Sequence, residues 1–100
     1  MTEQVTTTTK NQLDRIVIGD ALTVLRTFPD NFVDCVMTSP PYWGLRYYGE
    51  ETKIVWDDGW FGSLGLEETF HLYLDHLTQI FHEVKRVLKP TGTLWVNLGD

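Results

Sequence analysis

Residues 32–42 read FVDCVMTSPPY, and this stretch decides how the chain folds. Its apolar first half has the length and β-branched content of a buried parallel strand, which we place over Phe32–Thr38. Pro40 and Pro41 then prevent both strand pairing and helix formation, so the chain leaves the sheet in a stiff, extended loop. Open α/β sheets bind ligands at the carboxyl ends of their strands, so this stretch predicts a functional loop.

The loop carries groups that suit the activation of an exocyclic amine on a nucleic-acid base. Such an amine is a poor nucleophile, because its lone pair is delocalised into the ring. The Ser39 hydroxyl and the Pro40 carbonyl offer acceptors for its two N–H bonds, and the prolines fix that carbonyl in advance. Tyr42 offers a flat face on which an extruded base can stack. The alternative interpretation of so short a motif is a proline-rich turn with an incidental tyrosine.

Segments with strand periodicity alternate with segments of helical periodicity along the chain. The order strand, helix, strand, loop, helix, strand predicts an α/β fold whose three parallel strands are joined by crossover helices. The predicted strands are Arg15–Ile18, Phe32–Thr38 and Thr93–Leu98, and the helices are a short one with an apolar face of Leu22, Leu25 and Phe28 and a long one from the N-cap Thr69 to the stop at Pro90.

The connection over residues 39–66 is too long to be structureless, so we expect it to be functional or partly structured. We assign Trp56 and Trp60 to a local core that holds this loop. The long helix should bury the apolar positions Phe70, Leu74, Leu77, Phe81, Val84 and Leu88. Its polar positions, His71, Asp75 and His82 with His76 beside them, are expected on a solvated face rather than in a metal site. Cys35 lies mid-strand and is expected to be buried.

Size and charge limit the possible functions. The 100 residues form at most one small domain, which we divide into a disordered tail at 1–12 and a catalytic portion at 13–100. No stretch has the length of a membrane span, no signal peptide is evident, and a single cysteine suits a reducing compartment, so we expect a cytoplasmic protein. The net charge of −6 is unusual for a protein that binds nucleic acid, and the cations near the motif are Arg46 and Lys53.

The motif and three further blocks resemble the amino-group DNA methyltransferases, which make N4-methylcytosine or N6-methyladenine. Ser39 to Tyr42 matches the catalytic motif of that family, and the extension to Arg46 is similar to the loop of one subgroup. The block GDAL at 19–22 resembles the strand end that contacts adenosine. The blocks WFGSLGLE at 60–67 and GTLWVNLGD at 92–100 follow in the family's order. The likeness covers the chain from about Arg15 onward.

The resemblance implies a partial Rossmann-like fold that uses S-adenosylmethionine. It assigns catalysis to Ser39, Pro40, Pro41 and Tyr42, and cofactor binding to Asp20, Ala21, Ser39 and Asn97. For Asp20 we expect a helix cap as well as an adenine contact, and for Asn97 a turn-forming role is an equal alternative. The expected partner is double-stranded DNA with a flipped target base. Serine at position 39 leans toward cytosine over adenine.

The resemblance also implies that part of the enzyme lies elsewhere. The family's Asp-Pro-Phe cofactor fingerprint is not in these residues, and the permuted subgroup carries it after the target-recognition region. We therefore expect an amino-terminal portion, inactive alone, whose first two strands are separated in the complete sheet by strands of the carboxy-terminal half. Such a fragment is expected to self-associate. The alternative functions are methylation of RNA or of a protein amide, or a non-enzymatic module that binds a complementary chain.

Overall fold

A pair of parallel strands with a long helix packed on one face forms the centre of the structure. The computed structural model describes residues 13–44 and 47–99. The elements in chain order are α1 (Ala21–Leu25), β1 (Val33–Thr38), a 3-10 helix (Glu50–Thr52), β2 (Ile54–Val55), β3 (Phe61–Gly62), α2 (Phe70–Val87) and β4 (Leu88–Val96). The expected α/β class with a parallel sheet is therefore confirmed, with two strands in that sheet instead of three.

The strand expected at Arg15–Ile18 does not form. The structure assigns no strand to residues 16–18, and the side chains of Ile16 and Ile18 are 92% and 94% exposed. A strand needs a hydrogen-bonded neighbour, and this segment pairs with no strand in the described part of the chain. The short helix that follows does form, but it ends at Leu25, so Phe28 instead packs edge-on against Phe32 at 5.5 Å between ring centroids.

The last strand begins five residues before its predicted start at Thr93. Val33 pairs with Leu88, yet Cys35 pairs with Thr93, so two residues on β1 correspond to five on β4. The irregularity lies at the segment that contains Pro90, which has no N–H to donate to the ladder. The ladder ends at Val96, and the Asn97 amide donates to the Thr38 carbonyl at 2.9 Å just beyond it.

Only one face of this sheet is covered by described residues. Val36 lines a cavity together with Ile80 and Val84 of α2, whereas Met37 is 79% exposed and Trp95 is 64% exposed. The prediction that Cys35 is buried is wrong, because its side chain is exposed. Cys35 and Met37 alternate with Val36 along β1, and so they point away from the helix.

The long connection after β1 is partly structured, as expected. Besides the 3-10 helix it contains an antiparallel hairpin in which Ile54 pairs with Gly62 and Val55 pairs with Phe61. Trp56 is 3% exposed and its indole N–H donates to the Gly62 carbonyl at 3.0 Å, which confirms its place in a local core. The hairpin therefore buries Trp56 and bonds to its indole.

The long helix forms, but it ends at Val87 and Leu88 already belongs to β4, and the stripe that it buries only partly matches the predicted one. Thr69 caps it by accepting from the Leu72 amide at 3.1 Å. Val84 is buried as expected, whereas Phe70 and Leu74 are 49% and 40% exposed, contrary to expectation. The other buried side chains of the helix are Tyr73, His76 and Val87. Trp56 and Trp60 of the hairpin stack on His76, and the Tyr73 hydroxyl donates to the Pro41 carbonyl, so these contacts favour burial of that stripe.

Some expectations lie outside the described residues: the tail at 1–12, Leu45 and Arg46 in the extended loop, and Asp100 at the end of the last block. No helix in the described part of the chain is both long enough and apolar enough to cross a lipid bilayer.

Candidate active site

The loop Ser39–Tyr42 leaves the sheet at the carboxyl end of β1. Ser39 is exposed, Pro40 is buried, and Pro41 and Tyr42 are half-buried. Each proline fixes its own backbone dihedral φ and restricts the residue before it, so the segment has little freedom to move. The Pro41 carbonyl accepts a hydrogen bond from the Tyr73 hydroxyl at 2.7 Å. The exposed Ser39 hydroxyl therefore precedes a backbone segment that the Tyr73 hydroxyl fixes by its bond to Pro41.

Asn97 lies beside this loop because β1 and β4 are parallel neighbours. The 2.9 Å bond from its amide to Thr38 sets the end of β4 next to Ser39. Ser39 and Asn97 line the same open depression of about 420 Å³. The structure thus brings together two of the four residues predicted to bind cofactor.

Asp20 and Ala21 lie at the start of α1, across a second cavity from the loop. Asp20 caps α1, because its Oδ2 accepts from the Thr23 amide at 2.9 Å and from the Thr23 hydroxyl. Ala21 lines a cavity of about 430 Å³ whose other wall includes Ser39 and Pro40. Ser39 therefore borders both cavities, whereas Ala21 and Asn97 border one each.

Tyr42 lines a third, aromatic cavity of about 250 Å³. Its neighbours there include Trp43, Phe70 and Tyr73. The ring also covers Gly99, where an added Cβ would come within 2.8 Å of it. This is an apolar setting suited to a planar ring. The roles assigned to these residues remain predictions; what the structure establishes is their placement.

The sequence analysis missed a buried histidine. His76 is fully buried and its ring stacks on the indole of Trp56, with 4.2 Å between centroids, and on that of Trp60, with 5.3 Å. Its Nδ1 lies 2.6 Å from Glu67 Oε2 and its Nε2 lies 2.7 Å from Asp58 Oδ2. The expectation of a solvated position for His76 is wrong. Helical spacing did contain the signal, because Tyr73, His76, Ile80, Val84 and Val87 form one continuous stripe.

The described cations near the loop are engaged with carboxylates. Lys53 lies 3.0 Å from Glu50, and a hydrogen bond from Tyr47 to the same carboxylate raises the pKa of Tyr47 to about 12. Arg26 lies 2.7 Å from Asp57. Trp43, Tyr47 and Tyr48 are 41%, 52% and 51% exposed, so their rings are accessible for stacking. Within residues 13–44 and 47–99, no three His, Cys, Asp or Glu side chains are arranged to hold a metal ion.

Several curated proteins that are similar in sequence to this chain are named Type II methyltransferases. The chain is 56% identical over 82 residues to the Type II methyltransferase M.XycI of Xanthomonas campestris pv. cyanopsidis and 51% identical over 82 residues to M.Cfr9I of Citrobacter freundii, covering 82% of this chain and 24% of each relative. It is 41% identical over 86 residues to M.SmaI of Serratia marcescens, covering 86% of this chain and 26% of that relative.

The chain therefore spans about a quarter of the length of the curated relatives that it matches. No solved structure shows significant similarity to it. The DNA methylase family model matches residues 33–100, which begin with β1 and include the Ser39–Tyr42 loop, α2 and β4. The match covers more than half of the chain and agrees with the relatives, so the chain belongs to the DNA methylase family.

Proposed function

We propose that the protein is a site-specific DNA methyltransferase that transfers a methyl group from S-adenosylmethionine to the exocyclic amine of cytosine or adenine, with N4 of cytosine favoured. The observation that carries this proposal is the Ser39–Tyr42 loop at the carboxyl end of β1, beside Asn97. The relatives are named Type II methyltransferases, so we extend the proposal to a restriction-modification role. A DNA substrate also assigns the protein to the compartment that holds DNA, which in bacteria is the cytoplasm.

The loop residues act on the amine of a base extruded from the duplex. The exposed Ser39 hydroxyl and the Pro40 carbonyl accept its two N–H bonds, which draws the nitrogen toward a tetrahedral shape and frees its lone pair. Because Pro40 is buried, these acceptors need little reorganisation during the reaction. Tyr42 stacks on the base. No cysteine lies in the described loop, and the proposed attack needs no covalent enzyme intermediate.

The residues near α1 fit an adenosine-containing cofactor. The cavity between α1 and the loop has a volume in the usual range for small-molecule sites, roughly 300–1,000 Å³, and Ala21 and Ser39 line it. Both described bonds to the Asp20 carboxylate use Oδ2, so Oδ1 can accept from an adenine amine. When bound, S-adenosylmethionine supplies an electrophilic methyl group. Asp20, Ala21, Ser39 and Asn97 would hold it.

We further propose that another part of the enzyme covers the exposed sheet face and adds the strands that separate residues 15–18 from β1. Support comes from the exposure of Ile16, Ile18, Met37 and Trp95, since apolar patches of this kind mark interaction surfaces. The isolated 100 residues should then be inactive and self-associate through open strand edges. Sedimentation at micromolar concentration tests this, and a monomer that methylates DNA alone would contradict it.

The test of the proposed function is methyl transfer by the full-length protein. Duplex DNA is incubated with labelled S-adenosylmethionine, and the digested nucleosides are identified by mass spectrometry as N4-methylcytosine or N6-methyladenine. Ser39→Ala should lower the rate by roughly 10²–10³-fold, as the loss of one preorganised hydrogen-bonding group does in related chemistry. Cofactor affinity should fall far less than the rate, because Asp20, Ala21 and Asn97 keep their proposed contacts. Thr91→Ala removes an exposed hydroxyl at the opposite end of β4 and should leave the rate unchanged.

Three outcomes would contradict the proposal. Turnover by Ser39→Ala at the wild-type rate would exclude the amine-activating role of the hydroxyl. If the labelled methyl group were found only in RNA or in a protein amide, the substrate would be RNA or protein and not DNA. Absence of transfer to any acceptor, with S-adenosylmethionine bound or unbound, would reject the enzymatic function.

A further inference from the structure

The buried His76 makes a close polar contact through each of its two ring nitrogens. Glu67 Oε2 and Asp58 Oδ2 lie within hydrogen-bond distance of opposite nitrogens. The indoles of Trp56 and Trp60 stack on the same ring. The Trp60 amide, and then His76, hold the pKa of Asp58 below its ordinary value, consistent with an ionised carboxylate.

Glu67 carries this network to the loop that contains the catalytic motif. Its Oε1 accepts from the Gly65 amide at 2.8 Å, and its backbone carbonyl accepts from the Trp43 indole at 2.9 Å. The Gly65 carbonyl in turn accepts from the Gly44 amide at 2.6 Å. Gly65 has a φ of +96°, and an added Cβ would lie 3.1 Å from the Tyr42 carbonyl. The turn at Gly65 is therefore pressed directly against the loop.

Tyr73 makes a second connection from the same helix. It lies one turn before His76 on α2, and its hydroxyl donates to the Pro41 carbonyl at 2.7 Å. Hydrogen bonds from α2, or to the turn that leads into it, therefore hold three residues of the loop: Pro41, Trp43 and Gly44. Packing alone does not require this arrangement, since both partners of a buried hydrogen bond can be replaced by apolar groups of the same shape with little loss of stability.

We propose that His76 and Tyr73 are positioning residues for methyl transfer, because together they fix the backbone that follows Ser39 and Pro40. Neither touches the reacting atoms. His76 acts through Glu67 and Gly65, and Tyr73 acts through the Pro41 carbonyl. The inference rests on the proposed function for its kinetic consequence, whereas its structural part is independent of activity.

The kinetic test compares three variants of the full-length protein. Tyr73→Phe removes one oxygen and His76→Phe keeps an aromatic ring between the tryptophans while removing both hydrogen bonds. Each should lower kcat by roughly tenfold to 10²-fold, as expected for a small misplacement of reacting groups. The Kd for S-adenosylmethionine should change less than about twofold, since three of the four proposed cofactor contacts, Asp20, Ala21 and Asn97, lie outside the loop. His82→Phe alters an exposed histidine on the same helix and should leave kcat unchanged.

The structural test is amide hydrogen exchange, which does not depend on activity. In His76→Phe the Gly44 amide should exchange at least roughly tenfold faster, while the Asn97 amide at the end of β4 keeps its rate. Equal acceleration at both amides would mean that His76 merely supports the fold, and would overturn the proposal. If His76→Phe fails to fold, Glu67→Gln, which alters the contact with His76 Nδ1 with little change of shape, replaces it in both tests.

Unchanged kcat in Tyr73→Phe would remove Tyr73 from the proposal, and unchanged kcat in His76→Phe would remove His76. If the wild-type protein transfers no methyl group to any acceptor, the proposed function is wrong. The exchange rates alone then decide whether His76 holds the loop.

Discussion

Replacing Arg86 with methionine should loosen the attachment of α1 to α2. The guanidinium Nη2 donates to the Leu25 carbonyl at 2.8 Å, and Nη1 donates to the Phe28 carbonyl at 2.8 Å and to Asp30 at 2.7 Å. The Leu25 carbonyl lies at the last residue of α1, where it also accepts from the Phe28 amide at 3.0 Å, and the Phe28 carbonyl lies just beyond the helix. Arg86 therefore adds hydrogen bonds at the end of α1 from the neighbouring helix.

The expected loss of stability follows from these contacts. Hydrogen bonds to a charged group contribute about 1.5–3 kcal/mol each, and two here involve backbone carbonyls. The Arg86 side chain is 30% exposed, so water can replace part of each bond, which brings the pair to about 2–4 kcal/mol. The ion pair with Asp30, whose side chain is 70% exposed, adds at most about 1 kcal/mol. Methionine keeps much of the aliphatic packing.

Urea unfolding of the full-length protein, followed by tryptophan fluorescence, measures this loss. Lys85→Met is the matched control, because Lys85 is the exposed neighbour in sequence and should cost less than about 0.5 kcal/mol. Arg86→Met should also raise the Kd for S-adenosylmethionine, since Asp20 caps the same short helix. Equal unfolding midpoints for Arg86→Met and Lys85→Met would refute the reasoning.

Three further outcomes are expected. Asp20→Asn keeps the helix cap and should weaken S-adenosylmethionine binding with little change in the unfolding midpoint; a large stability loss at unchanged affinity would leave Asp20 as a cap alone. Gly65→Ala should lower the free energy of unfolding by about 1–2 kcal/mol because of its φ of +96°, and further because the added Cβ would press on the Tyr42 carbonyl. Gly59→Ala, with a φ of +90° and open space around it, should show the backbone loss alone. Equal losses in the two variants would mean that the contact with Tyr42 does not affect stability. Burial, and then the charge of Glu67, raises the pKa of the Tyr73 hydroxyl above its ordinary value. Its contribution to stability should therefore be complete below about pH 10 and be lost as the pH rises through the pKa of the folded state. The free energy of unfolding of Tyr73→Phe should not show this loss at alkaline pH, and identical pH profiles for Tyr73→Phe and the wild type would contradict the prediction.

Local features of the sequence were sufficient for several elements. The β-branched run ending at Thr38 and the two prolines after it predict a strand and its end, because their effects are set by neighbouring residues. Thr69 was predicted as a cap for the same reason, and β1 and β4 pair in parallel as the order of elements indicates. The family could also be inferred from four short blocks and is confirmed by the comparisons.

Burial and pairing were decided by tertiary contacts. Residues 15–18 have a strand-like composition but no described strand beside them, and a strand exists only through its partner's hydrogen bonds. Cys35 lies in an apolar run, yet its face of the sheet is uncovered, which composition does not reveal. For the candidate site, sequence identified Ser39 and its loop, and the structure showed that Ser39 borders separate cavities with Ala21 and Asn97.

The sequence by itself determined the strand, the stiff loop after it and the chemistry that the loop offers, because these depend on dihedral limits and on functional groups within a few residues. Helical spacing could have placed His76 on the buried stripe of α2, but only the tertiary structure decided that its ring is held between two carboxylates. Its two carboxylates come from Asp58, in the turn of the hairpin, and Glu67, in the turn before α2. Hydrogen bonding between residues 9 and 18 positions apart depends on how those turns pack, and no local periodicity encodes that packing.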